Sequence, residues 1–588
     1  MRRGLVLRAF CLALAAGSAM ARTSPFRGVV EGYYGRPWSG DARRDVIRFL
    51  GRHGMNAFVY GPKNDPYHRD RWREPYPADA LADLRTTAAV ARRARVRFIY
   101  ALSPALDVCY ACDNDFDALT AKLAQLARAR IRRFALFFDD APEILRHPED
   151  VARYGGSDGE ALARAHADLV NRADRWLRRR GLSGVAFMVP TAYAGTTCLP
   201  YLAALASALH RRLPVGWTGP GVFSPRLTGA QARARRDCLE GHPVVLWDNF
   251  PVNDGVLSNT LHLGPLVGRD AELPGELWGY LLNPMTQPHA SLVGLGTAAA
   301  YLKRPRRYDP EAAWRGVLDQ LDAGGGLALL AEQTRGSPLN DPDYGDAPAL
   351  AAAVERLEAS WTTAEWNLAV SELEAEEHRQ AAAPDAITAS LGSTPLGAEI
   401  APWVTELAAH VAEGLRAVQL LRAMKPAFSD LEIHTDTSTL TVTGRLAPPD
   451  PALAADLALP LAGPRPRPDL AGYVRCLGDV LGVDIRLCPE LGLNVHGKAF
   501  YFVPFDVRDL RLITGKNVHE RLVGFVVERY REWAVRQAGA PAALTLTADG
   551  MPVTVARDGT FAFSRPAGSR VRLVVTTATG DATAVSGP

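Results

Sequence analysis

Eight short runs rich in β-branched and aromatic residues alternate with helical patterns over the first half of the chain. They lie at 28–31, 57–60, 96–100, 134–138, 185–189, 215–217, 244–247 and 278–282. Repeated β–α units of this kind predict an α/β fold in which eight parallel strands close into a (β/α)8 TIM barrel. A doubly wound open sheet is the structural alternative, but no Gly-rich phosphate loop follows the first run.

The segments between the runs carry helix signals. Ser39 is a good N-cap for a helix that Gly54 then ends. Apolar residues recur with a 3.6-residue period over 162–177, which is typical of a helix with one buried face. These signals support the β–α alternation.

A chain of 588 residues is too long for one ordinary domain. We predict a barrel over 22–305, a helical bundle over 306–430, an α+β region of unknown role over 431–538 and a small β-domain of hairpins over 539–588. The Pro- and Ala-rich stretch at 448–468 is interpreted as a linker or long loop. The small β-domain is either a carbohydrate-binding module or a spacer.

The first 21 residues have the composition of a secretory signal peptide. A basic start precedes an apolar core, and Ala19-Met20-Ala21 matches the small-x-small cleavage pattern. We expect cleavage after Ala21 and a secreted or periplasmic protein. The apolar core is too short to span a bilayer, and no later stretch qualifies as a transmembrane segment.

Six cysteines remain once Cys11 is removed with the signal: Cys109, Cys112, Cys198, Cys238, Cys476 and Cys488. In an oxidising compartment disulfides are favoured over free thiols. The shortest local pairings are Cys109–Cys112 and Cys476–Cys488, and the full connectivity stays open. A zinc site is disfavoured because no second ligand pair lies at suitable spacing.

The charge pattern argues against nucleic acid as a partner. The net charge is only +3, and no basic stripe stands out. The chain has only six Lys while Arg is abundant, so a Lys is expected mainly where Arg would not serve equally well. Lys63 is one of them, and it follows the second predicted strand.

Two adjacent carboxylates, Asp139 and Asp140, follow the apolar run at 134–138. Two such side chains are not both comfortably ionised in a dry site, so we expect the pKa of one to be raised above that of the other. That arrangement suits acid–base catalysis. The alternative is a strand that ends in a helix cap, because Asp is a good N-cap residue.

Active sites of these barrels lie at the carboxyl ends of the strands. The residues that follow the predicted strands are amides, carboxylates, Tyr and Trp. These side chains suit a sugar, whose hydroxyls take polar partners and whose ring face stacks on an aromatic. No His cluster is present, so we predict neither a metal nor a cofactor.

The motifs at these strand ends resemble those of glycoside hydrolase family 84, the O-GlcNAcases and bacterial hyaluronidase-type β-N-acetylglucosaminidases. The series is Val29-Val-Glu-Gly-Tyr-Tyr-Gly-Arg-Pro-Trp38, Tyr60-Gly-Pro-Lys-Asn-Asp65, Phe138-Asp-Asp140, Pro190-Thr-Ala-Tyr193, Trp217-Thr-Gly219, Trp247-Asp-Asn249 and Leu282-Asn-Pro284. The resemblance covers roughly residues 24–430.

The resemblance implies a retaining exo-β-N-acetylglucosaminidase whose substrate supplies the nucleophile. The 2-acetamido oxygen attacks the anomeric carbon and forms an oxazoline, a known exception to the scheme of two flanking carboxylates. In that scheme Asp139 accepts the acetamido N–H. Asp140 is the general acid for the leaving oxygen and then the base for water. The implied partners are glycans or glycoproteins that end in β-linked GlcNAc.

The resemblance also implies sugar contacts from seven further residues: Gly32, Lys63, Tyr193, Trp247, Asn249, Asp254 and Asn283. Gly32 would use its main chain, while Lys63, Asp254 and Asn283 would bind hydroxyls. The alternatives are structural: a strand-end turn at Gly32, a surface ion pair between Lys63 and Asp65, and a loop-supporting amide at Asn283.

In the same scheme Tyr193 would support the oxazoline or its leaving group. Asn249 would hold the acetamido region, and Trp247 would wall the methyl pocket. Tyr193 and Trp247 are otherwise ordinary core aromatics. Two functional alternatives stay open: an endo-acting hydrolase of the hyaluronan or chitin type, and a non-catalytic carbohydrate-binding barrel. The oligomeric state also stays open.

Overall fold

The computed structural model describes residues 26–257, 260–341, 344–462, 486–488, 492–495, 498–500, 516–537, 544–577, 580 and 582–587. The predicted signal peptide and Cys476 lie outside the described residues.

Eight parallel strands close into a barrel in sequence order, each paired with the next and the eighth with the first. The strands are β1 Phe26–Glu31, β2 Ala57–Tyr60, β3 Arg97–Leu102, β4 Phe134–Phe137, β5 Val185–Val189, β6 Val215–Trp217, β7 Val244–Asp248 and β8 Gly279–Leu282. The predicted (β/α)8 barrel is therefore confirmed, and each predicted run contains or overlaps one strand.

Alternate side chains of each strand fill the barrel interior, as the period of two requires. The interior cluster includes Val30, Val59, Phe137 and Trp247. Their neighbours in the chain face outward, where they join a larger cluster with the surrounding helices. Burial on both faces explains why the strands appear in the sequence as short continuous apolar runs.

The barrel helices are α1 Gly40–Arg52, α2 Ala78–Arg93, α3 Asp113–Arg128, α4 Pro148–Tyr154, α5 Gly159–Arg179, α6 Pro200–Ala208, α7 Gly229–Cys238, α8 Leu273–Glu276 and α9 Ser291–Lys303. Ser39 caps α1, and its hydroxyl accepts from the Ala42 N–H at 3.2 Å. Gly54 follows α1 with a φ of +78°. Both helix signals are confirmed.

A helical region follows the barrel. It comprises α10 Pro310–Leu321, α11 Gly326–Gln333, α12 Pro348–Ser360, α13 Trp366–Ala381, α14 Ala383–Leu391 and α15 Pro395–Met424. The N-terminal half of α15 packs toward the barrel with α10, α11 and α14, and its C-terminal half packs with α12 and α13. This is the predicted helical bundle.

The remaining elements are β9 Ala427–Thr435, β10 Thr439–Ala447, α16 Pro451–Ala462, β11 Arg486–Cys488, β12 Gly492–Val495, β13 Lys498–Phe500, α17 Lys516–Gln537, β14 Leu544–Ala548, β15 Met551–Val553, β16 Thr560–Pro566, β17 Val571–Thr577 and β18 Ala582–Gly587. The linker predicted at 448–468 is wrong in part, because α16 occupies 451–462. Its Ala and Leu side chains have a buried face against the bundle.

Two small sheets stack over a shared apolar core near the C-terminus. One has the strand order β16-β10-β9 and the other β15-β14-β17-β18. Leu440, Val442, Leu546 and Leu573 are among the residues buried between them. The predicted domain boundaries stay a prediction, and the pairing of β10 with β16 joins segments on either side of residue 539.

Two disulfides are present among the described residues, Cys109–Cys112 and Cys198–Cys238. The first is the predicted local pairing. The second ties the loop after β5 to the end of α7. Within the part of the chain that the structure describes, no helix combines the length and the apolar character that crossing a membrane requires.

Candidate active site

Asp139 and Asp140, the Asp pair, lie in a turn directly beyond β4, at the carboxyl end of the barrel. The helix-cap interpretation is wrong, because the next helix begins only at Pro148 and its N-cap is His147. Asp140 has a φ of +48°, a left-handed conformation that Asp tolerates better than most residues. The turn places two consecutive carboxylates at one strand end.

Lys63 joins the two carboxylates. It lies in the loop after β2, and its side chain is buried with only 2% exposure. Its Nζ donates to Asp139 Oδ2 and lies 3.8 Å from Asp140 Oδ2. The surface ion pair with Asp65 is therefore wrong. Asp65 instead accepts from the hydroxyls of Tyr60 and Tyr76.

Both oxygens of Asp140 accept hydrogen bonds from tyrosine hydroxyls. Tyr193 donates to Oδ1 at 2.7 Å, and Tyr34 donates to Oδ2 at 2.9 Å. Burial raises the pKa of Asp140, but the charges of Lys63 and Arg69 and the two hydroxyl donors outweigh it, so the pKa lies below its usual range. The raised pKa that the sequence predicts for one of the two carboxylates is therefore not that of Asp140.

Asp139 keeps one acceptor free. Its Oδ1 is fully buried and has no hydrogen-bond partner among the described residues, whereas Oδ2 is held by Lys63. A buried carboxylate oxygen without a donor is costly, so it marks a place where a ligand N–H or O–H is favoured.

A second group of predicted residues forms one hydrogen-bonded chain. Asn249 Oδ1 accepts from Trp247 Nε1 and from Asn283 Nδ2, both at 2.9 Å. Asn283 Oδ1 accepts from the Gly32 N–H at 3.3 Å. A Cβ on Gly32 would collide with the Trp247 indole, so only glycine fits there. These contacts fix the indole, which lies 5.7 Å from the Lys63 Nζ.

Asp254 completes the predicted set. It lies beyond β7, and its Oδ2 accepts from the Tyr34 N–H at 2.6 Å. Burial, with a smaller contribution from the charge of Asp140, raises the pKa of Asp254 to about 6. The structure thus brings together all nine residues singled out from the sequence: Trp247 lies in β7, and the others lie in the loops after β1, β2, β4, β5, β7 and β8.

Two residues of the site were not singled out. Tyr34 contacts Asp140 through its hydroxyl and Asp254 through its main chain. Its position in the Gly-Tyr-Tyr-Gly sequence after β1 could have indicated this role. Neighbouring side chains there point to opposite sides, so Tyr33 is buried in the core and Tyr34 lies toward the site. Arg69 donates to the Asp140 carbonyl. It carried no signal, because arginine is abundant throughout this chain.

Other carboxylates at the strand ends have structural roles. Glu31 is fully buried and forms a two-point ion pair with Arg43, which fixes the loop between β1 and α1. Asp248 likewise pairs with Arg269 through both oxygens. These two groups are satisfied by protein partners, which leaves the Asp pair and Asp254 as the candidates among the described strand-end carboxylates for binding a ligand.

Fold and site together define a carbohydrate-active barrel. Carboxylates, tyrosine hydroxyls, amides and an indole converge at the strand ends, which suits a sugar that carries an amide. The family model of beta-N-acetylglucosaminidase matches residues 27–332, more than half of the chain. The chain belongs to this family, glycoside hydrolase family 84.

The chain is similar to the Protein O-GlcNAcases of Rattus norvegicus and Mus musculus. Each is 33% identical over 282 residues, which is 47% of this chain and 30% of the relative. The chain thus matches less than a third of the length of these curated relatives.

Two solved structures are also similar. A mutant of the Thermobaculum terrenum O-GlcNAc hydrolase superposes with a TM-score of 0.69 over 88% of this chain and 97% of that one, at 24% identity, which is a likeness of fold. CpGH84B superposes with a TM-score of 0.60 over 68% and 69% of the two chains, at 27% identity.

Proposed function

We propose that the protein is a retaining exo-β-N-acetylglucosaminidase that releases terminal β-linked GlcNAc from glycans or glycoproteins by substrate-assisted catalysis. The observation that carries the proposal is the adjacency of Asp139 and Asp140 at one strand end, bridged by Lys63. A conventional nucleophile and acid flank the sugar from opposite faces. Neighbouring carboxylates fit a reaction in which the substrate's acetamido group is the nucleophile.

In the first step the acetamido carbonyl oxygen forms a bond to the anomeric carbon while the bond to the leaving oxygen breaks. Asp140, which is protonated in the substrate complex from which this step starts, gives its proton to that oxygen. Asp139 Oδ1, the buried acceptor that has no donor among the described residues, takes the hydrogen bond of the acetamido N–H and stabilises the positive charge of the oxazolinium. Lys63 holds the other Asp139 oxygen and fixes its orientation.

In the second step water attacks the anomeric carbon from the face that the leaving group vacated. Asp140, now ionised, takes a proton from this water, and the bond between the anomeric carbon and the acetamido oxygen breaks. The product keeps the β configuration and the acetamide is restored. The hydroxyls of Tyr34 and Tyr193 stay on Asp140 in the ionised state that this step starts from.

A pair of chromogenic substrates tests the proposal. We expect release of nitrophenol from the N-acetyl-β-glucosaminide and at least a thousandfold slower release from the plain β-glucoside, because the glucoside lacks the acetamido nucleophile. On short β-linked GlcNAc oligomers the early products should be the monosaccharide and the oligomer shortened by one unit. Equal rates on the two chromogenic substrates contradict the mechanism, and release of internal fragments contradicts exo action.

We also propose that the protein is exported after removal of residues 1–21. The disulfides Cys109–Cys112 and Cys198–Cys238 support this, because such bonds persist in oxidising compartments. The mature protein, isolated from the cells that make it, should begin at residue 22 and lie outside the cytoplasm. An intact Met1 on cytoplasmic protein contradicts export.

A further inference from the structure

Arg69 is the buried cation closest to the main chain of Asp140. It lies in the loop after β2 and is only 6% exposed. Its Nη2 donates to the Asp140 carbonyl oxygen at 2.7 Å. Because Asp140 is held at a φ of +48°, a donor on its carbonyl fixes the orientation of a peptide that the backbone alone does not favour.

The same guanidinium supports Asp140 by a second route. Its central carbon lies 5.8 Å from the centre of the Tyr34 ring, and the Tyr34 hydroxyl donates to Asp140 Oδ2. Arg69 therefore contacts Asp140 itself and lies over the ring of one of the two tyrosines whose hydroxyls orient the Asp140 carboxylate. A planar guanidinium stacks on an aromatic ring and donates in fixed directions, which a lysine ammonium does not.

The charge of Arg69 has no direct carboxylate partner in the described part of the chain. No salt bridge joins it to an acidic side chain there, and its Nη1 is buried without a hydrogen-bond partner. A buried cation of this kind is unfavourable unless it compensates nearby negative charge. The negative charge at hand is the Asp pair, where Arg69 acts with Lys63 in lowering the pKa of Asp140.

We propose that Arg69 is a positioning residue for Asp140: it holds the carboxylate between Tyr34 and Tyr193 and sets the pH range over which Asp140 carries its proton. Arg69 itself does not contact the sugar in this proposal. This inference rests on the proposed function in one respect, the role of Asp140 as the acid. The contacts of Arg69 with Asp140 and Tyr34 do not depend on that function.

The test compares two variants. Arg69→Met removes both the charge and the planar guanidinium, whereas Arg69→Lys keeps the charge but loses the planar guanidinium. Arg71→Met is the matched control, because Arg71 lies in the same loop and is exposed, and its guanidinium pairs with Glu74 and lies over the Tyr67 ring. Each protein is assayed from pH 4 to 9 on a methyl and a nitrophenyl N-acetyl-β-glucosaminide. Circular dichroism checks the fold of each variant.

Arg69→Met should lose about a hundredfold or more in kcat/KM on the methyl glycoside and about tenfold or less on the nitrophenyl glycoside. Removing a cation also raises the pKa of Asp140 in the substrate complex, so the alkaline limb of the kcat profile, which reports that complex, should move to higher pH. Arg69→Lys should keep the limb near its wild-type position and still lose rate on the methyl glycoside. Arg71→Met should match the wild type.

Equal losses on both substrates with an unmoved alkaline limb overturn the proposal and make Arg69 part of the loop framework only. If Arg69→Met does not fold, Arg69→Lys decides: an unchanged rate on the methyl glycoside overturns the proposal. If the wild type turns over neither substrate, the proposed function fails. In that case an NMR titration of the Asp140 carboxyl carbon, whose resonance is assigned with Asp140→Asn, tests the proposal. The pKa of Asp140 must still be higher in Arg69→Met than in the wild type.

Discussion

The Asp pair shows how one turn gives two identical side chains different tasks. Asp139 Oδ2 is held by Lys63 and its Oδ1 stays free of protein donors in the described chain. Asp140 accepts from two tyrosine hydroxyls, which reach it from the loops after β1 and β5. Consecutive residues therefore face different partners, and each role can be tested by removing one carboxylate charge at constant volume.

Asp140→Asn should lower kcat/KM on a methyl glycoside by about 10²–10⁴-fold and far less on a nitrophenyl glycoside, because a good leaving group needs little protonation. Asp139→Asn should reduce both rates strongly, since it weakens stabilisation of the oxazolinium whichever group departs. Steady-state kinetics on the two glycosides measure this. The same leaving-group dependence in both variants would contradict the division of roles.

Asp254 predicts a pH dependence of ligand binding. Burial raises its pKa to about 6. Binding of a sugar hydroxyl by the carboxylate favours the ionised form, so affinity should rise as pH increases through about 6 and then level off. Calorimetry with free N-acetylglucosamine should show up to about tenfold weaker binding at pH 5 than at pH 7.

Asp254→Asn is the control for this effect, because its amide does not titrate. Its affinity for N-acetylglucosamine should be lower than that of the wild type at pH 7 and nearly constant between pH 5 and 7. A variant that keeps the full pH dependence shows that another group is responsible.

Among the elements, α13 and α15 form an unusual contact. Glu377 of α13 is 2% exposed, and its carboxylate lies against Gly414 of α15, where any Cβ would collide with it. Its Oε1 has no hydrogen-bond partner in the described chain. Burial, and then the neighbouring Glu376, raise the pKa of Glu377 to about 8. The helix pair thus holds a carboxyl group that is favoured in its neutral form.

Glu377→Gln should remove a pH dependence of stability. The folded pKa of about 8 lies above the ordinary value of 4.5, so the folded state binds this proton more tightly, and stability falls as pH rises between these values. At pH 8.5 the variant should be about 1–3 kcal/mol more stable than the wild type. At pH 5 the two should differ little.

Urea unfolding at both pH values measures this difference. Glu372→Gln is the control, since Glu372 lies on the same helix but forms an exposed ion pair with Arg356. A Glu377→Gln variant whose free energy of unfolding follows that of the wild type at every pH rules out a neutral carboxyl at this helix contact.

The elements that the sequence predicts correctly are those whose own residues carry the signal, without contacts to distant parts of the chain. The strands are buried on both faces, so apolar runs located all eight, and the site residues follow because barrel loops converge. The pairing of β10 with β16 was not predicted, because the sequence near either strand does not indicate which distant strand it pairs with. Arg69 was missed because its role depends on a contact between the loops after β2 and β4, which are far apart in sequence. Helix α16 was missed because Pro451 and Pro460 suggested a loop.

At the scale of the whole molecule, residues beyond the barrel and bundle complete the bundle's core. Eight apolar side chains of α16 and α17 are buried against α12, α13 and α15: Ala454, Leu457, Ala458, Leu461, Leu522, Val523, Val526 and Trp533. Trp366 of α13 also donates through Nε1 to Thr583 of β18 at 2.9 Å. The nine predicted site residues, by contrast, all lie between Gly32 and Asn283.

A chain that ends at residue 426 should therefore be unstable. Each large apolar side chain that loses its partner contributes about 1.5–3 kcal/mol, so we expect a melting temperature lower by roughly 10 °C or more, or insoluble protein. Any folded fraction should keep the wild-type KM, because the site is intact. Scanning calorimetry and the KM for a nitrophenyl glycoside measure both effects.

A chain that ends at residue 543 is the comparison, because it keeps α16 and α17 and loses only the strands from β14 onward. It should melt between the shorter chain and the full protein. A chain ending at residue 426 that melts with the full protein would show that α16 and α17 do not stabilise the bundle.

The pairing of β10 with β16 also has a consequence for synthesis. Arg445 is opposite Thr560, so β10 leaves the ribosome more than a hundred residues before its neighbour. At about 5–20 residues per second the strand edge is open for roughly 6–25 s. The barrel can close during that interval, but the hairpin β9–β10 offers an unpaired edge to other nascent chains. The synthesis of β16 therefore determines when this strand edge stops being open to aggregation.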